Sequence, residues 1–214
     1  MSAEGLINTF VTLFVVIDPI ALAPLFVTLT AGMASAKRQA VALRAVLVAF
    51  GLLSLFGLAG KPLLAGIGIG LPAFRISGGL LLFLIAVDML FEHRTERRER
   101  HAAEAVADDS TPDPSVFPLA TPMIAGPGAL ATMILLGGQQ AGNPSGLIAL
   151  HLVLIAALSI TYLFFRAGGL IERALGATGV LVVTRLFGIL LAALSVQFVL
   201  NGLHDLGVLK TLGS

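Results

Sequence analysis

Cysteine and tryptophan are absent from this sequence of 214 residues, tyrosine occurs once, and only 12% of the residues are charged. The lack of cysteine excludes a disulfide framework, a thiol nucleophile and a zinc site built on thiolates. A soluble domain carries about 25% charged residues, so the low charge argues against one. The net charge of +1 gives no indication of a nucleic-acid partner, and we expect none.

Motifs typical of enzymes are missing as well. The sequence contains no P-loop, no nucleophile paired with a base, and no group of His, Asp and Glu at metal-ligand spacing. We therefore expect a protein that is not an enzyme and that needs no cofactor and no bound metal.

Long apolar runs dominate the chain, which is 57% hydrophobic. A run of about 20 apolar residues is long enough to cross a bilayer as a helix. The runs predict an all-α polytopic membrane protein, with the lipid bilayer as its main partner. Six transmembrane helices are expected, at about residues 5–31, 41–60, 75–91, 116–138, 146–166 and 181–203.

Glycine-rich and polar stretches separate these spans. Residues 63–74 are too short to cross and are interpreted as an interfacial or re-entrant piece, and residues 168–184 as a connector. Residues 92–115 are polar and predict a short helix followed by a mobile linker. The chain thus divides into a first transmembrane repeat, 1–91, a cytoplasmic loop, 92–115, and a second transmembrane repeat, 116–214.

Lysine and arginine are unevenly distributed between the two sides of the predicted membrane. With the N-terminus outside, the three basic residues of the outer segments are Lys61, Arg75 and Lys210. The inner segments then hold Lys37, Arg38, Arg44, Arg94, Arg97, Arg98, Arg100, Arg166, Arg173 and Arg185. Because basic residues concentrate on the cytoplasmic side, we expect both termini on the outer side of the membrane.

Two of the apolar runs are interrupted in the same way. The first contains Asp18 and the pair Pro19 and Pro24, and the fourth contains Pro122 and Pro127 at the same Pro-x-x-x-x-Pro spacing. An acid costs energy in mid-membrane, and proline breaks a helix. Paired interruptions in two halves are typical of a transporter binding site. We expect helices 1 and 4 to be discontinuous, with their breaks facing one another.

A second motif indicates that the two halves are related. The segment Arg75-Ile76-Ser77-Gly78 in span 3 matches Arg185-Leu186-Phe187-Gly188 in span 6. Each half has three spans, an odd number, so the second half enters the membrane from the opposite side. The sequence therefore predicts two inverted three-helix repeats.

The candidate binding residues surround the two interruptions. We expect substrate to contact Asp18, Pro19, Ala21, Ala23, Pro24, Ser77, Thr121, Pro122, Ala125, Gly126, Pro127, Gly128 and Gln197. The small side chains leave room for a small solute, and a helix that begins near Gly126 would direct free amides at an anionic group. Arg75 and Arg185 are candidate gating residues, although a snorkelling arginine is the simpler interpretation.

Asp18 has two compatible interpretations. It either caps the helix that begins at Pro19, or it titrates or binds the coupling cation of a transport cycle. Thr121 occupies the equivalent place in the second half and cannot titrate, which favours a coupling role for Asp18 with H⁺ or Na⁺.

Three segments together resemble the MarC family of bacterial and archaeal inner-membrane proteins. They are Phe14–Ile20 with Pro24, Arg75–Ala86, and Phe117–Gly128. The resemblance covers nearly the whole chain. One departure is Ala21-Leu22, where many members have Gly-Asn, and it removes a polar side chain from the predicted site.

The resemblance implies a secondary transporter, because SnatA-type members of the family are described as ion-driven transporters of small neutral amino acids such as glycine and alanine. An exporter of small amphipathic compounds and a non-transporting membrane scaffold that docks through residues 92–115 are the alternatives. Direction of transport, coupling ion and oligomeric state stay open at this point.

Overall fold

The computed structural model describes residues 1–107 and 113–208, and every regular element in these ranges is helical. An irregular segment of wide helical turns, Ser115–Ile124, precedes α6. The helices in chain order are α1 (Ala3–Ile17), α2 (Pro19–Leu29), α3 (Ser35–Gly66), α4 (Leu71–Leu90), α5 (His93–Ala107), α6 (Pro127–Gln139), α7 (Pro144–Arg166) and α8 (Gly168–Asp205).

Five or six of these helical stretches are long and apolar enough to cross a membrane. α1 and α2 together make one stretch of 27 residues, and α3, α4, α7 and α8 each make another. The irregular segment and α6 make a sixth if they count as one span, although they are bent by 61°. Large apolar side chains such as Leu47, Leu84 and Leu152 are exposed on the outside of the bundle, as expected of a surface in contact with lipid. The prediction of an all-helical polytopic membrane protein is confirmed.

Close helix packing explains much of the high glycine content, 24 residues. α4 and α8 form the most extensive helix pair, and Gly79 of α4 lies directly against the backbone of Ser195. α3 and α6 cross so closely that a methyl group on Gly137 would lie 1.9 Å from the carbonyl oxygen of Gly57. Small residues permit such backbone contact in membranes, where dispersion forces and hydrogen bonds hold helices together.

Two predicted connectors are helical instead. α3 continues to Gly66 and α4 begins at Leu71, so only residues 67–70 separate them, and residues 63–74 do not form a separate re-entrant piece. α8 begins at Gly168 and includes the whole of the second connector, with one break at Gly176, where φ is +62°. Glycine adopts this left-handed region without a steric penalty, so a glycine-rich sequence resembles a loop although the chain is mostly helical.

The polar segment after α4 forms a helix that packs into the protein. α5 contacts α2, α4 and the irregular segment, and its residues Arg98 and Ala102 are buried. The predicted short helix is therefore present, but it is part of the packed structure. The predicted mobile linker falls largely on residues 108–112, which lie outside the described residues.

Candidate functional site

The first apolar stretch is interrupted at Asp18. Its backbone has φ +57° and ψ +64°, so α1 ends at Ile17 and α2 begins at Pro19. The side chain is fully buried, and its Oδ1 accepts a hydrogen bond from the Ala21 amide at 3.3 Å. The helix cap that the sequence predicted is thus present, and it satisfies one of the amides that a helix start leaves free.

Arg98 of α5 joins this interruption to the one in the second half. Its Nη1 lies 3.5 Å from Asp18 Oδ2, and its Nη2 donates to the carbonyl oxygens of Ile17 at 3.1 Å and Met123 at 3.2 Å. Ile17 is the last residue of α1, and Met123 is next to the last residue of the irregular segment. One buried guanidinium therefore contacts both interrupted segments. It binds backbone carbonyls that have lost their intrahelical hydrogen bonds at the breaks.

Arg94 lies one turn before Arg98 on the same face of α5. It donates to the Val16 carbonyl at 2.6 Å and to the Met89 sulfur at 3.1 Å. Among the described residues no carboxylate lies within ion-pair distance of Arg94. Burial lowers the pKa of Arg94, and burial together with the charge of Arg94 lowers the pKa of Arg98 to about 9 despite the nearby Asp18. With a pKa of about 9, the Arg98 guanidinium remains charged at neutral pH.

A cavity of about 390 Å³, here called the arginine cavity, lies beside this cluster. Its walls come from Val16 of α1, from α4, from α5, and from the start of α6 with the segment before it. The ionisable side chains that line it are Asp88, Arg94, Arg97, Arg98 and His101. The chain around the second interruption adds Pro122, Gly126, Pro127 and Gly128. Asp88 pairs with Arg97. The α6 helix begins at the cavity without a side-chain cap on its amides. The positive end of its dipole therefore adds to the positive electrostatic potential of the arginines there.

The predicted site residues near the second interruption partly converge on this cavity. Pro122, Gly126, Pro127 and Gly128 line it, Ala125 is buried behind it, and Thr121 lies on the exposed side of the segment.

The predicted site residues near the first interruption lie on two different sides of α2. Asp18 contacts Arg98, which lines the arginine cavity. Ala21 and Pro24 line a separate cavity of about 160 Å³ between α2, α5 and α8. Pro19 and Ala23 are buried in the packing of α2.

The remaining predicted residues lie away from the arginine cavity. Ser77 is exposed and donates to the Phe74 carbonyl of its own helix at 3.1 Å. Arg75 pairs with Asp205, and Arg185 pairs with Glu92, so these two arginines tie together opposite ends of the α4–α8 pair. Gln197 lines a different cavity at the far end of α1 and α6.

Sequence reasoning missed Arg94 and Arg98, which it counted only as cytoplasmic loop charges. A usable signal was present, because Arg94, Arg98 and Ala102 recur every fourth residue and so share one face of a helix. Ala102 is buried on that face. A charged helix that has an alanine on the same face as two of its arginines indicates packing against the protein rather than full solvation.

Comparison with known proteins agrees with this architecture. The sequence matches the description "MarC family integral membrane protein" over residues 3–206. The chain belongs to the MarC family. The resemblance of the three motif segments is thereby confirmed at the level of the family.

Relatives of similar length occur in bacteria and archaea. The chain is 35% identical to the UPF0056 membrane protein YvbG of Bacillus subtilis, with 96% of this chain and 97% of that one covered. It is 32% identical to the UPF0056 membrane protein MJ1677 of Methanocaldococcus jannaschii, covering 95% and 98%, and 31% identical to the UPF0056 inner membrane protein YhgN of Escherichia coli, covering 93% and 96%. No solved structure matches the chain.

Proposed function

We propose that this MarC-family protein is a secondary transporter that moves small neutral amino acids, such as glycine and alanine, across the inner membrane with an ion gradient. The observation that carries the proposal is the arginine cavity at the two interrupted segments. The buried Asp18 carboxylate, the buried Arg98 guanidinium, the partly buried Arg94 guanidinium and an uncapped helix start meet there. Ionisable groups within the membrane-spanning part of a protein are expensive and mark solute or ion pathways.

The cavity offers complementary partners for a zwitterion. Arg94, which lacks a carboxylate partner among the described residues, and the amides at the start of α6 suit the substrate carboxylate. Asp88 lines the same cavity and suits the ammonium group. Several of its lining residues, including Gly126, Gly128 and Ala129, are small, which favours a small substrate.

The packing pattern supports two inverted repeats with discontinuous helices 1 and 4. The first span contacts α7 and α8, and the fourth span contacts α3 and α4, which are the corresponding helices of the other half. α4 and α8, the third span of each half, pair with each other. The left-handed residue Asp18 and the 61° bend before α6 are the two breaks. In this proposal the α5 end of the bundle faces the cytoplasm, and both chain termini face the periplasm.

Asp18 is the proposed coupling residue, with H⁺ or Na⁺ as the ion. It is the one acid at an interruption, and its Oδ2 has Arg98 as its partner while Oδ1 caps α2. Binding of a proton or cation at Asp18 would weaken its attraction to Arg98 and so loosen the link between the two interrupted segments. Ion binding would thereby be coupled to movement of the two repeats relative to one another.

Uptake into proteoliposomes tests the proposal. Purified protein is reconstituted, and accumulation of labelled glycine, alanine and serine is followed under an imposed proton gradient, an imposed sodium gradient, or neither. Gradient-driven accumulation above protein-free liposomes is the expected result. Efflux from preloaded vesicles under the reversed gradient distinguishes uptake from the alternative of export. An absence of flux in both directions for all amino acids would favour the alternative of a scaffold.

A further inference from the structure

A second cavity lies at the opposite end of α1 and α6 from the arginine cavity. Its volume is about 440 Å³, and its walls come from α1, α6 and α8. We call it the carboxamide cavity, because its polar side chains include Asn8, Gln139, Gln140, Gln197 and Asn201.

The concentration of amides in this cavity is not a consequence of composition. The whole sequence has seven Asn and Gln residues, and five of them line this one cavity although they come from three separate helices. The threonines Thr9 and Thr12 of α1 add hydroxyl groups to the same wall, and no Asp, Glu, Lys or Arg side chain is among its lining residues.

Carboxamides provide donors and acceptors in equal measure and carry no net charge. A cavity lined in this way suits a small, net-neutral solute that itself has both donors and acceptors. It contrasts with the arginine cavity, where three guanidiniums face a single lining carboxylate. The two cavities therefore differ in the chemistry of their lining residues.

A buried polar residue lies between the two cavities. Gly128 lines the arginine cavity and Leu136 lines the carboxamide cavity. Thr132 is one helical turn from each and on the same face of α6. Its side chain is fully buried, and its hydroxyl has no hydrogen-bond partner in the part of the chain that the structure describes. On α1, Val16 and Thr12 line the two cavities one turn apart, which is about 6 Å along the helix axis.

We infer that the carboxamide cavity is a second solute site, which binds a net-neutral polar solute before or after the solute passes between α1 and α6. The inference rests on the proposed function for its connection to transport, but the site itself is defined by the amides. Thr132 is the hydroxyl that a solute meets midway between the two cavities.

The absence of cysteine allows a direct test of occupancy. Single cysteines are introduced as Asn201→Cys inside the carboxamide cavity and as Ile67→Cys on an exposed position between α3 and α4. The rate of alkylation by a membrane-impermeant maleimide is measured in proteoliposomes with and without 20 mM glycine. We expect glycine to slow alkylation of the Asn201→Cys variant at least threefold and to leave the Ile67→Cys variant unchanged. Equal rates with and without glycine at both positions would overturn the inference.

Amide substitutions supply the second measurement. Gln139→Leu and Gln197→Leu remove amides from two walls of the cavity, and Gln39→Leu makes the same change at a carboxamide elsewhere, on α3. We expect the two cavity variants to weaken equilibrium binding of labelled glycine at least tenfold, while Gln39→Leu binds like the wild type. Equal affinities in all three variants would contradict a site at this position.

The two proposals fail in different ways. If the wild type transports glycine but neither alkylation nor binding responds at the carboxamide cavity, the inference is wrong and the proposed function stands. If glycine protects the Asn201→Cys variant but no flux occurs under any gradient, the site exists and the proposed transport function is wrong.

Discussion

The guanidinium of Arg98 lies 3.5 Å from the Asp18 carboxylate, at the residue where the first apolar stretch is interrupted. The two residues are 80 positions apart and belong to different helices. Both are buried, and the same guanidinium also donates to Ile17 and Met123. This single side chain therefore connects both interrupted segments of the protein, and it is the first target for mutation.

Asp18→Asn separates the capping role from the charge. Asparagine caps a helix nearly as well as aspartate, so α2 keeps its start, but Arg98 loses its counter-charge. We expect gradient-driven accumulation of glycine to be abolished while exchange of glycine across the membrane continues, because exchange need not move net ions. Uptake with and without a gradient, beside counterflow exchange, measures both. Accumulation at the wild-type level would leave Asp18 as a cap only.

The contact between Asp18 and Arg98 also predicts how substitutions change the stability of the protein. Loss of one partner leaves a buried charge uncompensated, which costs about 3 kcal/mol or more in proteins. We expect Asp18→Asn and Arg98→Gln each to lower the thermal midpoint in detergent, and the double variant to recover part of the loss. Arg97→Gln is the matched control, since Arg97 is more exposed and pairs with Asp88. Additive losses in the double variant would show that the two residues do not interact.

Arg98→Lys tests the bridging geometry. Lysine keeps the charge, but its single ammonium lacks the planar fork that lets the guanidinium contact Asp18, Ile17 and Met123 together. We expect protein of near-normal abundance with transport reduced at least tenfold. A lysine variant with wild-type uptake would mean that charge alone is required there. Uptake rates normalised to reconstituted protein provide the measurement.

We expect Thr132→Val to change stability and transport in opposite directions. Valine has nearly the same shape as threonine and removes a buried hydroxyl without a partner, a group that costs about 1–3 kcal/mol. We expect the thermal midpoint to be unchanged or higher and glycine flux to fall at least threefold. Thr161→Val is the control, because the Thr161 hydroxyl is also fully buried but donates to the Ala157 carbonyl at 2.9 Å. Unchanged flux in Thr132→Val would remove the hydroxyl from the pathway.

Gly137→Ala tests the crossing of α3 and α6. The added methyl group would lie 1.9 Å from the Gly57 carbonyl oxygen, so the helices must separate, at a cost of about 1–3 kcal/mol. We expect a clearly lower thermal midpoint. Gly51→Ala of α3 is the control, since no other atom lies within 4 Å of the added group, and alanine favours the helix. Equal midpoints would show that this contact is not tight in the membrane.

The sequence by itself determined the membrane class, most of the spans and the family. Apolar runs of bilayer length are local properties, because each helix satisfies its own backbone hydrogen bonds. The helix cap at Asp18 was also readable, because an acid directly before a proline is a typical start of a helix. Glycine-rich stretches such as residues 63–74 were misjudged because glycine allows both tight turns and close helix packing.

Only the tertiary structure decided where the charges of α5 lie. By sequence, Arg94 and Arg98 belong to a solvated polar loop, and burying them is unfavourable unless partners are supplied. Those partners are Asp18, Met123 and backbone carbonyls at the ends of other segments, so no local pattern reveals them. The same holds for the carboxamide cavity, whose amides are scattered along three helices and share a surface only after the helices pack.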